Sequence, residues 1–138
     1  MDLDPNLAWR FVSDSGFNSH LGPIRFVRLN EDAWQGCLDL QPRHMNLGGV
    51  CHGGVYMSVA DTTMGIAAYE ASGGNRCATV DFRSHFLAAA KLGQTLRCTA
   101  RVNRVVSGIA FMECELEAGG RLCMKANGIW KQLGVQNT

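Results

Sequence analysis

One apolar segment in the middle of the chain restricts the possible folds more than any other feature. Wound as a helix, it presents apolar side chains to nearly every side: Val55, Tyr56, Met57, Val59, Ala60, Met64, Ile66, Ala67 and Ala68. A helix of this kind has to be covered over most of its surface. We expect it to begin near Gly53 or Gly54 and to stop at residues 72–75, because the glycines there readily adopt the left-handed backbone of a helix terminus.

Beyond this helix the hydrophobic pattern changes to the two-residue period of β-strands. Four segments alternate apolar and polar side chains: residues 77–86, 96–102, 110–116 and 122–130. In the first of them, the alternation predicts Val80 and Phe82 on one face and Thr79 on the other. Short turns, such as the one at Gly119 and Gly120, join consecutive strands. An antiparallel meander is therefore the simplest topology.

The region before the helix predicts a second, smaller group of elements. Residues 5–12 have the pattern of a short amphipathic helix with Pro5 in its first turn, and residues 24–29 and 34–40 have the pattern of two strands. One long apolar helix and several strands pack well when the sheet curls around the helix. The sequence therefore predicts an α+β fold in a single domain over residues 1–138.

Composition excludes several classes of function. The 138-residue chain is 46% hydrophobic and 18% charged, with a formal net charge of +1, which indicates neither disorder nor nucleic-acid binding. Its six cysteines form no C-x-x-C pair, and the N-terminal residues lack the pattern of a signal peptide, so we expect reduced thiols and a cytoplasmic location. No apolar run approaches the ~20 residues that span a bilayer, so we expect no membrane partner.

Asp61 is the anomaly in the apolar helix. An ionised carboxylate buried without partners costs several kcal/mol, so the side chain is either satisfied by its neighbours or used in chemistry. Gly53 and Gly54, at the predicted start of the helix, would expose unpaired N–H groups and a partial positive charge to a carbonyl oxygen. Asp61 lies roughly 12 Å further along the axis, at about 1.5 Å per residue. The two groups can meet at one carbonyl if two helices lie antiparallel across a dimer interface.

A stripe of small and polar side chains supports such an interface. It is formed at helical spacing by Gly54, Ser58, Asp61, Thr62 and Gly65. Small residues allow a partner helix to come close.

The motif around the helix start resembles that of a known family, the hotdog-fold acyl-CoA thioesterases of the phenylacetate-degradation type, in the 4-hydroxybenzoyl-CoA thioesterase superfamily. The family pattern has an Asn in the loop, then G-x-x-H-G-G, then six residues and an acidic residue. Here it is formed by Asn46, Gly49, His52, Gly53, Gly54 and Asp61. Residues 78–82 and 120–126 resemble the third strand and the closing hairpin of the family. The proline that usually follows the third strand is replaced by Leu87-Ala-Ala-Ala90.

This resemblance implies a curled antiparallel sheet wrapped around one long central helix, and hydrolysis of an aryl or medium-chain acyl-CoA thioester by a homodimer or a dimer of dimers. Gly53 N–H would polarise the thioester carbonyl, and Asp61 of the facing subunit would activate water or attack the carbonyl itself. Asn46 would hold the water or the thioester, Thr79 would orient Asp61, and His52 would brace the loop. No metal or organic cofactor is implied, because a thiolate leaves readily.

Further candidates for binding the substrate are Gly54, Thr62 and, for the acyl pocket, the aromatic residues Trp34, Tyr56 and Phe86. The phosphates of coenzyme A have four candidate partners: Arg83, Lys91, Arg101 and Arg104. The alternative for these basic residues is an ordinary solvated surface position.

Two other interpretations remain open at this stage. The first is hydration or dehydration of an acyl thioester, which would need His52 as the catalytic histidine. The second is a non-catalytic acyl-CoA binding module, in which Asp61 only satisfies donors at an interface. A nucleophilic Cys51 beside His52 is disfavoured, because neighbouring side chains of an extended segment point to opposite sides and no activating partner is evident.

Overall fold

The computed structural model describes residues 3–134. The predicted domain, 1–138, extends beyond these residues at both ends. The elements, in chain order, are β1 (Arg10–Phe11), α1 (Asn18–Leu21), β2 (Arg25–Arg28), β3 (Ala33–Asp39), a 3₁₀ turn (Pro42–His44), α2 (Gly53–Ala71), β4 (Cys77–Phe86), β5 (Thr95–Val106), β6 (Ile109–Ala118) and β7 (Arg121–Gln132). The predicted limits of the long helix are thus confirmed.

Within the described residues, the strands form one antiparallel sheet of seven strands in the order β1-β2-β3-β5-β6-β7-β4. Helix α2 packs against β3, β4, β5, β6 and β7, so the sheet curls around it. This is the predicted hotdog architecture. A complete meander is wrong, however, because β4 pairs with β7 at one edge of the sheet instead of with β5. Alternation of side chains fixes which face of a strand is buried, but it does not determine the neighbouring strand.

Residues 3–134 of a single chain cover only one face of α2. That face holds seven buried residues: Tyr56, Val59, Ala60, Thr63, Met64, Ala67 and Ala68. On the opposite face Asp61 is exposed, as are Met57 and Tyr69, whose exposed fractions are 40% and 43%. The expectation that the sheet buries Asp61 is therefore wrong for the isolated chain. The apolar residues of the outer face made the whole helix look buried in the sequence.

The N-terminal region does not form the helix predicted over residues 5–12. Residues 5 and 6 lie in a turn, and β1 pairs with β2, with Arg10 opposite Phe26. Phe11, counted on the apolar face of the predicted helix, is exposed. Arg10 and Phe11 pair with the free edge of β2, and this pairing satisfies their backbone hydrogen-bonding groups. A short isolated helix would satisfy these groups less well, because helices of this length have only marginal stability.

A β-bulge near the start of β4 changes which side chains face the helix. The register shifts between Thr79 and Asp81, so Thr79 lies opposite Trp130 and Phe82 lies opposite Gly128. Both Thr79 and Phe82 face α2, whereas Val80 is 62% exposed. The prediction that Val80 shares a face with Phe82 is therefore wrong, because the extra residue of a bulge interrupts the two-residue alternation.

No helix among residues 3–134 is both long enough and apolar enough to cross a membrane.

Candidate active site

Asp61 lies on the outer face of α2, where β4 reaches it. The Thr79 hydroxyl donates a hydrogen bond of 2.7 Å to Asp61 Oδ1. No residue within 3–134 hydrogen-bonds the second carboxylate oxygen, Oδ2, and Asp61 as a whole is exposed. The structure thus brings together two residues that the family resemblance implied as partners, and it leaves one carboxylate oxygen free for chemistry.

The start of α2 presents an unpaired N–H group. Gly54 N–H donates to His52 Nδ1 at 2.8 Å, and Val55 N–H donates to the His52 carbonyl at 2.9 Å. Gly53 N–H has no acceptor among residues 3–134. The ring of Phe86 lies beside it, since a Cβ atom at position 53 would be 3.3 Å from the ring. The free N–H group and the helix dipole together can bind an oxygen that carries negative charge.

His52 is the N-cap of α2, and its side chain accepts the hydrogen bond from Gly54 N–H. In this way it can brace the loop before the helix, which is the role predicted for it. We expect His52→Ala to lower the free energy of unfolding by roughly 0.5–2 kcal/mol, because Gly54 N–H loses its acceptor. His52→Asn should restore most of this loss, since asparagine is a favourable N-cap residue. Urea denaturation followed by circular dichroism measures both values. Equal stability of His52→Ala and the unsubstituted protein would contradict the capping role.

Asn46 organises the loop before the helix. Its Oδ1 accepts hydrogen bonds from Gly48 N–H at 2.9 Å and from Val50 N–H at 3.2 Å. These two bonds fix the orientation of the amide and direct its NH₂ group away from them. Asn46 therefore shapes the loop with its side-chain oxygen. Its side-chain nitrogen, Nδ2, has no acceptor among residues 3–134.

Tyr56 is buried and holds the segment that follows β4. Its hydroxyl accepts a hydrogen bond from Ala90 N–H at 2.6 Å and donates one to the Ala88 carbonyl at 3.2 Å. Its ring packs on Phe86, with the ring centroids 5.8 Å apart. Burial raises the pKa of Tyr56 to about 12, so the hydroxyl stays protonated. Tyr56 thus fixes the path of residues 87–90, where the family usually has a proline.

An open cleft of about 540 Å³ lies beside Asp61 and Thr79. Thr62, a predicted substrate-binding residue, and Trp130 are part of its wall. Another part of the wall is formed by residues of the N-terminal region, among them Phe11, Val12 and Asn18. The sequence analysis did not identify this wall, because it assigned residues 5–12 to a helix. It counted Trp130 only as a core residue of the last strand.

Arg83 and Trp34 lie away from this cleft. Arg83 is on the other face of β4, where it is largely exposed and forms an ion pair of 3.1 Å with Asp81. Trp34 is fully buried, and its indole N–H donates to Glu70 Oε1 at 3.4 Å. The structure therefore does not bring either residue to Asp61.

Cys51 is placed unfavourably for a nucleophile. Its side chain is buried, and burial raises the pKa of the thiol to about 12. His52 Nδ1 already accepts a bond from Gly54, so it is occupied by the helix cap. Within residues 3–134, no group of three or more histidine, cysteine or acidic side chains is arranged to hold a metal ion.

Comparison with known proteins adds independent findings. A sequence model of the thioesterase superfamily matches residues 48–125, a range that contains His52, Gly53, Asp61 and Thr79. A Pseudomonas aeruginosa protein, PA0474, provisionally named an esterase, is 32% identical over 94 residues, which cover 67% of this chain and 70% of that protein.

Two solved structures have closely similar folds. Zebra fish thioesterase superfamily member 2 superposes with a TM-score of 0.78 at 24% identity, covering 87% of this chain and 88% of that one. A hypothetical thioesterase of Streptococcus pneumoniae, determined with coenzyme A, superposes with a TM-score of 0.75 at 18% identity, covering 91% and 97%.

Proposed function

Because this chain belongs to the thioesterase superfamily and is a thioester hydrolase, we propose that it cleaves aryl or medium-chain acyl-CoA esters at a site shared by two subunits. One observation carries the proposal: the carboxylate of Asp61 is held by Thr79 and keeps a free oxygen at the edge of a cleft. Coenzyme A as the carrier is supported by the Streptococcus pneumoniae thioesterase, whose structure was determined with coenzyme A.

The shared site follows from the position of the two groups on one helix. Gly53 N–H is at the first turn of α2, and Asp61 lies about 12 Å along the axis, at roughly 1.5 Å per residue. One thioester carbonyl cannot contact both groups of the same subunit. A two-fold axis that places two α2 helices antiparallel brings Gly53 of one subunit opposite Asp61 of the other.

Exposed features around Asp61 support this pairing. Met57 and Tyr69 leave apolar surface on the outer face of α2, and the neighbouring strand β4 is at the edge of the sheet, with Val80 exposed. A free strand edge next to apolar surface is a favourable place for a second copy to pair. The dimer is therefore the smallest active form in this proposal.

The chemistry can be followed atom by atom. The carbonyl oxygen of the thioester accepts a hydrogen bond from Gly53 N–H, and the helix dipole stabilises the negative charge that develops on this oxygen. Asp61 of the other subunit removes a proton from water, whose oxygen attacks the carbonyl carbon. The carbon–sulfur bond then breaks, and the thiolate of coenzyme A takes the proton from the Asp61 carboxyl group. Alternatively, Asp61 attacks directly and forms an anhydride that water cleaves.

The position of His52 disfavours the hydratase interpretation. Hydration of an enoyl thioester by histidine requires a ring nitrogen that can accept a proton from water. His52 Nδ1 is occupied as the acceptor of Gly54 N–H, and this bond leaves the proton of the neutral ring on Nε2. The ring therefore has no free basic nitrogen while it caps the helix.

The six cysteines, all free thiols, support the proposed cytoplasmic location.

Release of free thiol from a panel of acyl-CoA esters tests the proposal. We expect turnover of benzoyl-, phenylacetyl- or medium-chain esters with kcat/KM of about 10⁴ M⁻¹s⁻¹ or higher. Enoyl-CoA esters, monitored in parallel for loss of the double bond, serve as the control for hydration. Binding of these esters without thiol release would favour the non-catalytic binding module and would contradict hydrolysis.

A further inference from the structure

Trp130 is a buried residue that reaches the cleft beside Asp61. Its exposed fraction is 1%, yet it contributes to the cleft wall. On β7 it lies directly opposite Thr79, the residue that holds Asp61. Side chains of such a cross-strand pair have Cβ atoms about 4.5–5.5 Å apart. Trp130 is thus close to the reacting carboxylate.

The positions of two glycines show how the indole is oriented. A Cβ atom at position 128 would come within 2.8 Å of Trp130 Cζ3, so the benzene ring of the indole occupies the space that a side chain there would need. A Cβ atom at position 65 would lie 3.6 Å from Trp130 Nε1. Gly65 also lines the cleft, so the N–H edge of the indole is directed at this part of the wall.

The indole N–H of Trp130 differs from those of the other two tryptophans. Trp9 Nε1 donates to the Asp4 carbonyl at 2.9 Å, and Trp34 Nε1 donates to Glu70. Trp130 Nε1 donates to no acceptor among residues 3–134, and it is not one of the fully buried polar atoms without a partner there, so water in the cleft reaches it. An indole can only donate a hydrogen bond, so this donor bonds to water in the free protein. A ligand that displaces this water from the cleft has to supply the acceptor in its place.

The charges around the cleft restrict this acceptor. The only cationic side chain in the cleft wall described by the structure is Arg10, which forms an ion pair with Glu70. Asp61 places a negative charge in the same wall. A ligand carboxylate would be repelled by Asp61 without a free cation to offset the repulsion. The acceptor is therefore a neutral oxygen.

We propose that the indole N–H of Trp130 binds a hydroxyl or oxo oxygen on the acyl group of the substrate. This inference rests on the proposed function and names its substrate class. Because Trp130 is paired with Thr79 next to Asp61, the oxygen belongs on the second or third carbon of the acyl chain, close to the thioester. An unsubstituted acyl chain displaces solvent from the N–H and leaves the donor unpaired, whereas an oxygenated chain restores the hydrogen bond.

Matched pairs of substrates test the preference. The panel comprises 3-hydroxyoctanoyl-CoA and 3-oxooctanoyl-CoA against octanoyl-CoA, and mandelyl-CoA against phenylacetyl-CoA. We expect kcat/KM of the unsubstituted protein to favour one of the oxygenated esters over its parent by roughly 5- to 100-fold. In Trp130→Phe, which lacks the N–H, this ratio should fall to about 1. Both esters are measured on one preparation, so a loss of folded protein cancels in the ratio.

Two further variants separate the hydrogen bond from other effects. Gly65→Ala retains the indole but places a methyl group in contact with Nε1, so it should also lower the preference. Trp34→Phe removes an indole N–H that is equally buried but lies away from the cleft, so its ratio should equal that of the unsubstituted protein.

The outcomes that overturn the inference differ from those that overturn hydrolysis. Equal kcat/KM for oxygenated and parent esters would overturn the role of Trp130 and leave the thioesterase activity intact. If Trp130→Phe lowers the rates for all esters by one common factor, Trp130 has a purely structural role. That result would also overturn the inference and leave the thioesterase activity intact. Absence of thiol release from every ester would overturn both proposals.

Discussion

Asp61→Asn is expected to lower kcat/KM for acyl-CoA hydrolysis by about 10²–10⁴-fold, which is the usual contribution of a positioned general base. The substitution keeps the shape of the side chain and its oxygen acceptor for Thr79, but it removes the charge and the basicity. Thiol release from the best ester of the panel measures the loss. Because Asp61 is exposed in the single chain, the variant is expected to fold normally.

Asp32→Asn is the matched control for this experiment. Asp32 is an exposed residue in the turn between β2 and β3, away from the cleft, so the same chemical change there should leave the rate unaltered. Size-exclusion chromatography shows whether both variants keep the oligomeric state. Full activity of Asp61→Asn would show that the carboxylate has no catalytic role.

Gly53→Pro is expected to lower kcat by about 10²–10³-fold, which is the typical effect of deleting one oxyanion donor. Proline removes the N–H and is well tolerated at the first position of a helix. The preceding residue, His52, already has the extended backbone that proline requires, with φ −63° and ψ 135°. Gly53→Ala retains the N–H and tests the added side-chain atoms alone, so it should lose less activity.

Mixing the two inactive proteins gives the sharpest test of the shared site. If Asp61→Asn and Gly53→Pro subunits exchange at equal amounts, half of the dimers are mixed, and each mixed dimer has one site with both groups intact. Activity should therefore return to about one quarter of that of the unsubstituted protein. No recovery, once native mass spectrometry has shown that mixed dimers form, would mean that Asp61 and Gly53 act within one subunit.

The features predicted correctly from the sequence are those determined by local pattern. The limits of α2 follow from glycines at both ends, and the four strands after it follow from alternation. The contact between Asp61 and Thr79 was implied by the resemblance to the family and not by the pattern, which placed Thr79 on the wrong face of β4. The bulge at Val80 is the physical reason.

The features that were missed depend on long-range contacts. The pairing of β1 with β2 requires a partner that no local pattern reveals, and it supplies one wall of the cleft. The access of the Trp130 indole N–H to the cleft is visible only when the groups around it are known in three dimensions. The exposure of Asp61 is a similar case, because a helix face reserved for a second subunit has the same composition as a buried one.

The strand order also has a consequence for the biosynthesis of the enzyme. Thr79 belongs to β4, and among the strands that the structure describes only β7 pairs with β4, and it is made last. A ribosome that has just completed α2 and β4 has therefore produced both members of the Asp61–Thr79 pair without the strand that aligns them. Closing this pairing spans a long stretch of chain, which slows folding. The nascent chain accordingly aligns the Asp61–Thr79 pair only after β7 has been made.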